Sequence, residues 1–236
     1  MVVTEDGELA GLDPFDILDQ EAARLDAFFA GLADEAWSNP SRCAGWSVRD
    51  VLAHLAAAEE YHRACLDGSV ARLMAHYAAR GAADMDGFNA LGVADRAEMA
   101  SSELLAEWRA GNAESRRRFR ERGDGVVDTS VGDYPCRWQA FHVASELATH
   151  ADDVSVPIAE GERDERRQWR VRFSRFALAE IKPDLQTEVL GCRTVVSDGS
   201  VRVDVDDEQL IEGVAARLDE RSSLDAAARR MLSTMP

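Results

Sequence analysis

The 236-residue sequence lacks several features that mark common protein classes. Its four cysteines never occur in C-x-x-C spacing, which argues against both a redox motif and a cysteine zinc site. We therefore expect reduced and mostly structural thiols at the four positions. They are Cys43, Cys65, Cys136 and Cys192. No segment is as long and as apolar as a membrane-spanning helix requires.

Positive charge is also scarce. The chain has 27 Lys and Arg against 44 Asp and Glu, which gives a formal net charge of −17. A field of this sign opposes nucleic acid backbones and anionic membranes, so we expect neither as a partner. The N-terminal residues lack the basic and apolar regions of a secretory signal, which predicts a cytoplasmic protein. Monomer and homodimer both remain open.

The segment from residue 138 to residue 153 is unusual because it contains several side chains that can bind a metal. Interpreted as a helix, it places His142, Glu146 and His150 four residues apart on one face, with Asp153 one turn further on. Another histidine, His54, lies near the start of a helix predicted far upstream. Two helices that supply nitrogen and oxygen ligands across a bundle core form a known kind of metal site.

Helix geometry limits which histidines can share one ion. His142 and His150 lie eight residues apart, which is about 12 Å along a helix. Both cannot reach a metal whose ligand bonds are only about 2 Å long. The same spacing separates His54 from His62. One histidine of each pair can therefore join Glu146, and the spacing does not choose between them.

Two sequence blocks resemble a known family. They are Cys-Ala-Gly-Trp-Ser-Val-Arg-Asp-Val-Leu-Ala-His-Leu at 43–55 and Glu-Leu-Ala-Thr-His-Ala-Asp-Asp-Val at 146–154. In order and content these blocks are similar to those of the DinB-like family of mycothiol-dependent maleylpyruvate isomerases. The resemblance covers about residues 10–158. It implies that His54, Glu146 and His150 bind a divalent metal, usually zinc, in the core of a four-helix bundle.

The blocks also suggest roles for neighbouring residues. Trp46 is a candidate for lining the cofactor site, although a tryptophan ahead of a helix is as often a packing anchor. Asp153 is a candidate for orienting a ligand histidine through the free ring nitrogen. We interpret His62, His76 and His142 as ordinary core or surface residues. The resemblance further implies mycothiol as a cosubstrate. The bias towards arginine and alanine is typical of GC-rich genomes, such as those of the actinobacteria that use mycothiol.

The pattern of hydrophobic residues predicts a mainly α protein with two parts. Residues 1–158 are predicted to form the helical metal-binding bundle, with Ser47 and Asp50 as a capping box and one short helix between Ser69 and Gly87. Residues 159–236 are predicted to form a small α+β domain, with residues 160–167 as a charged junction. In that domain we predict a hairpin at Asp198-Gly199 and a helix over 208–218. Two further predictions concern helix ends: Asp13-Pro14 opens the first helix, and Ser101 or Ser102 caps a long one.

These observations favour a metal-dependent, mycothiol-using enzyme of the cis–trans isomerase or thiol S-transferase type, acting on a small electrophile. Two alternatives remain. A metal-activated water would make the same bundle a hydrolase. A bundle without catalysis would bind a ligand or a partner protein.

Overall fold

The structure is a computed structural model that describes residues 6–219 and 222–234. Residues 13–156 form one compact unit, and the described residues before and after them form a second. The proposed domain boundary at residue 158 stays a prediction. Among the described residues, no helix is both long and apolar enough to cross a membrane.

The first unit is a bundle of four long helices with two shorter ones. Helix α1 (Pro14–Ala30) packs on α6 (Cys136–Asp153), and α2 (Val48–Asp67) packs on α5 (Ser101–Arg122). A short antiparallel hairpin joins α5 to α6. This arrangement confirms the predicted mainly α, DinB-like bundle. The elements are α1 (Pro14–Ala30), α2 (Val48–Asp67), α3 (Val70–Ala79), α4 (Met85–Ala94), α5 (Ser101–Arg122), β1 (Val126–Thr129), β2 (Gly132–Pro135) and α6 (Cys136–Asp153).

Local caps set where the first two long helices begin. Asp13 accepts a hydrogen bond from the Phe15 amide at 2.9 Å, and Pro14 occupies the first position of α1. Ser47 and Asp50 form the predicted capping box: the Asp50 amide donates to Ser47 Oγ at 3.2 Å and the Ser47 amide to Asp50 Oδ2 at 2.9 Å. Such a cap contributes about 1 kcal/mol. It also fixes the register of the helix that carries His54.

Large apolar side chains fill the centre of the bundle. Each contributes on the order of 1.5–3 kcal/mol by leaving water. This packing holds α2 and α6 firmly enough to position polar groups between them. The fully buried side chains include Leu25, Phe29, Leu52, Leu55, Leu104, Trp108, Phe119, Phe141 and Leu147.

One predicted detail of the bundle was incomplete and another was wrong. The short helix predicted between Ser69 and Gly87 is α3, and a second helix that was not predicted, α4, follows after Gly81, whose φ is +100°. Helix α5 is capped by Ala100 rather than by a serine, and Glu103 accepts a hydrogen bond from the Ala100 amide at 3.2 Å. Neither difference moves the predicted metal ligands.

The second unit confirms the small α+β prediction. Its strands β3 (Gln186–Leu190), β4 (Arg193–Ser197) and β5 (Arg202–Asp206) form an antiparallel sheet in that order. The β4–β5 hairpin turns at Asp198-Gly199 as predicted, with Gly199 at a φ of +90°. The charged run at 160–167 begins a long helix, and the helix predicted over 208–218 ends at Val214. The elements are α7 (Arg163–Ile181), β3 (Gln186–Leu190), β4 (Arg193–Ser197), β5 (Arg202–Asp206), α8 (Asp207–Val214) and α9 (Ala226–Leu232).

Candidate metal centre

Three side chains from two helices meet inside the bundle. His54 extends from α2, and Glu146 and His150 extend from α6. Their ligand atoms all lie within 4.8 Å of one another, and His54 Nε2 is 3.2 Å from Glu146 Oε1. The structure therefore brings together the three residues that the resemblance implied. Their role as ligands is not tested by this proximity and stays a prediction.

One separation in this trio has the length expected for two ligands of a small divalent ion. Ligand atoms about 2 Å from a tetrahedral metal lie about 3.3 Å apart, close to the distance between His54 Nε2 and Glu146 Oε1. His54 and His150 are buried, whereas 30% of the Glu146 side chain is exposed. His54 Nδ1 is buried without a hydrogen-bond partner among the described residues. The polar contact of the His54 ring is therefore made by Nε2, which faces Glu146.

Asp153 holds the other side of His150. Its Oδ2 lies 3.0 Å from His150 Nδ1, and the side chain of Asp153 is fully buried. Burial lowers the pKa of His150, and the nearby His54 adds to this effect, which outweighs the opposing pull of Asp153. A neutral His150 that donates from Nδ1 has its Nε2 lone pair available for a metal. This contact agrees with the orienting role suggested for Asp153.

The loop before α2 reaches the same end of α6. Cys43 Sγ donates a hydrogen bond to Asp153 Oδ2 at 3.1 Å, and the Arg42 amide donates to the Asp153 carbonyl at 2.9 Å. Cys43, His150 and Asp153 make a second group whose atoms are close enough for a metal. The cysteine thus lies beside the predicted centre, a position that its scattered spacing in the sequence did not indicate.

Trp46 lies against the centre from the same loop. Its ring centroid is 5.3 Å from that of His54, and its carbonyl accepts a hydrogen bond from Ser41 Oγ at 2.8 Å. This position is compatible with lining a bound molecule and with packing on the histidine. The cofactor-binding role of Trp46 stays a prediction.

The carboxylate of Glu146 has contacts on both oxygens. Oε1 faces His54, and Oε2 lies 3.5 Å from His62 Nε2. Burial raises the pKa of Glu146, but its contacts with His54 and His62 outweigh this effect and hold the pKa well below its usual value. Glu146 is therefore an anion at neutral pH, as a metal ligand needs to be.

His62 is the polar residue that sequence reasoning missed. It is 3% exposed and lies between Glu146 and Glu59, with Nδ1 3.4 Å from Glu59 Oε2. Burial lowers the pKa of His62, but the two carboxylates raise it to about 10. The signal was an acidic residue three positions before a histidine within an apolar helix face. From the sequence, His62 is interpreted as an ordinary core or surface residue, because spacing does not choose between it and His54 and a lone helical histidine is usually of that kind.

The remaining histidines lie outside these groups. His142 Nε2 is 3.1 Å from the Tyr134 hydroxyl, and the exposed His76 packs edge-on against Tyr77. The metal-compatible groups found among the described residues include neither of them. Between His142 and His150, the structure therefore places the latter in the trio.

Comparison with known families adds to this geometry. Residues 18–190 match the family model described as the mycothiol maleylpyruvate isomerase N-terminal domain. The chain belongs to this family. Its matched region contains His54, Glu146 and His150, and the family description links it to a mycothiol-dependent enzyme. Neither the curated proteins nor the solved structures give a match to the chain.

Proposed function

We propose that the chain is a metal-dependent enzyme that uses mycothiol as its thiol cosubstrate. The observation that carries this proposal is the trio His54, Glu146 and His150, whose ligand atoms lie within 4.8 Å in a chain of this family. We infer the reaction to be cis–trans isomerisation or thiol S-transfer. The substrate we infer is a small electrophile.

The three residues have the chemistry of an open metal site. Two neutral imidazoles and one carboxylate suit Zn²⁺, and three protein ligands leave a coordination position for another molecule, as in catalytic zinc sites. When bound, a divalent ion supplies positive charge that lowers the pKa of a coordinated thiol. Because Glu146 contributes the only negative charge of the trio, part of the ion's charge is left to stabilise a thiolate.

The surrounding residues prepare this site. Asp153 fixes the orientation of His150 through Nδ1, and Trp46 flanks the ring of His54. Glu146 is the most exposed member of the trio, which supports entry of the thiol from its side. These contacts support a site whose ligand side chains are held in place before a thiol binds.

The same thiolate can serve either reaction. In isomerisation it adds to an activated carbon–carbon double bond, rotation follows, and elimination regenerates the thiol. In S-transfer it attacks an electrophilic carbon and stays bonded while the leaving group departs. Both reactions need only a small-molecule partner.

The net charge of −17 supports a protein that binds neither nucleic acid nor membrane. We infer a cytoplasmic monomer or homodimer.

A thiol titration of the cobalt-loaded protein tests the proposal. We expect mycothiol to produce a thiolate-to-cobalt absorption band in the wild type and in a His76→Ala control, but not in His150→Ala. Turnover of an electrophile should require the thiol. Turnover without any thiol would favour metal-activated water, and cobalt binding with no thiol band and no turnover would favour a non-catalytic bundle.

A further inference from the structure

A network of polar side chains contacts Glu146 on the side away from His54. His62 Nε2 is 3.5 Å from Glu146 Oε2, and His62 Nδ1 is 3.4 Å from Glu59 Oε2. His62 is 3% exposed and Glu59 is 2% exposed. One imidazole therefore lies at ion-pair distance from two carboxylates inside the bundle.

The polar network continues from Glu59 to the outer side of α5. Asn112 Nδ2 donates to Glu59 Oε1 at 2.8 Å, and Arg116 Nε donates to Asn112 Oδ1 at 2.8 Å. Arg116 in turn pairs with Asp19 on α1. Glu59 is thus fixed on one oxygen by an amide, with its other oxygen turned towards His62. Three helices contribute to a support that ends at Glu146.

This arrangement needs an explanation because it is costly. Burying ionisable groups costs free energy that their mutual attraction only partly returns, and apolar residues of similar volume often serve stability as well or better. The polar network ends at the carboxylate of Glu146, whose other oxygen faces His54. His54 and His62 are eight residues apart on α2, so each reaches a different oxygen of Glu146.

We propose that His62, supported by Glu59, is a positioning residue that holds Glu146 Oε2 and so presents Oε1 alone to the metal. This inference rests on the proposed function, because it takes Glu146 as a metal ligand. Without His62, the carboxylate is free to rotate or to offer both oxygens to the ion. A carboxylate fixed in this way keeps a coordination position open. Partners behind a ligand of this kind typically change metal affinity by about 10–100-fold.

Cobalt titration of the metal-free protein provides the test. Dissociation constants for Co²⁺ would be measured by chelator competition, with the visible spectrum recorded at saturation. We expect His62→Ala to bind Co²⁺ about 10–100-fold more weakly, with a changed cobalt spectrum because the carboxylate coordinates differently. His62→Gln keeps an N–H donor and should recover part of the affinity. Glu59→Gln should weaken binding in the same direction, and His76→Ala should match the wild type.

Each outcome bears on the proposal. A folded His62→Ala protein with wild-type affinity and spectrum would overturn it, and if that variant does not fold, His62→Gln and Glu59→Gln decide by the same criteria. Loss of binding in both His62 variants as complete as in His54→Ala would make His62 a ligand instead and overturn the positioning role. A wild type that binds no Co²⁺ would overturn the proposed function together with this inference.

Discussion

Asp153 and His150 lie one helical turn apart on α6, with Asp153 Oδ2 3.0 Å from His150 Nδ1. Because the carboxylate occupies Nδ1, it leaves Nε2 as the ring atom that can bind an ion. Cys43 donates to the same carboxylate oxygen at 3.1 Å. The loop before α2 and the end of α6 are thus joined at the atom that orients a predicted ligand.

Removing the charge of Asp153 should weaken metal binding without unfolding the bundle. We expect Asp153→Asn to lower Zn²⁺ affinity by about 10–100-fold, because the imidazole loses the anion that strengthens it as a ligand. Isothermal titration with Zn²⁺ would measure this change. Asp67→Asn is the matched control, since Asp67 is exposed and pairs with Arg118. Equal affinities in the two variants would contradict the orienting role of Asp153.

Three of the four thiols should differ sharply in reactivity. Burial raises the pKa of Cys65 to about 12 and that of Cys136 to about 11, whereas Cys192 is exposed. A raised pKa keeps a thiol protonated until the pH approaches that value, so at pH 8 the thiolate fraction of Cys65 is on the order of 10⁻⁴. We expect iodoacetamide to alkylate Cys192 in the native protein and to spare both buried thiols.

Mass spectrometry after tryptic digestion would read out this labelling. In guanidinium chloride all four cysteines should react, which shows that protection comes from the fold. Labelling of Cys65 in native protein at the rate of Cys192 would contradict the packing of α2 described above.

Gly92 allows α4 to contact α2 closely. A Cβ built at Gly92 would lie 2.5 Å from the Cβ of Ala57, a distance that forces the helices apart. We expect Gly92→Ala to lower the free energy of unfolding by about 1–3 kcal/mol, measured by urea denaturation. Gly161→Ala is the control, because its added Cβ meets nothing within 4 Å.

A double-mutant cycle tests the origin of this effect. Removing the opposing methyl group with Ala57→Gly should make Gly92→Ala less destabilising than it is alone, which appears as a coupling energy between the two sites. Additive effects of the two changes would show that the contact is not the cause.

Much of the bundle could be predicted from sequence because its signals are local. Asp13 and Ser47 mark helix starts through side-chain hydrogen bonds that involve neighbouring residues only. Strand β3 was missed because all five of its residues are exposed, so no alternation between buried and exposed positions marks it. The charged run at 160–167 allowed either a solvated linker or a helix start, because among the residues of the first turn of α7 only Arg166 is buried.

The candidate site was predictable only in part. Spacing left two histidine pairs unresolved, and the family blocks identified His54 and His150. The contacts of Glu146 with His62, and of His62 with Glu59, depend on how α2, α5 and α6 pack. The contact of Asn112 with Glu59 joins residues that are 53 positions apart in the sequence. Such long-range contacts leave no local pattern, so His62 could be placed only once the fold was known.

The metal content of purified protein decides whether His54, Glu146 and His150 bind an ion. Elemental analysis would compare the wild type with Glu146→Ala and with His76→Ala, each checked for folding by circular dichroism. We predict about one divalent metal per chain in the wild type and the control, and loss of the metal in Glu146→Ala. A metal-free wild type, or a folded Glu146→Ala protein that keeps its full metal content, would contradict it.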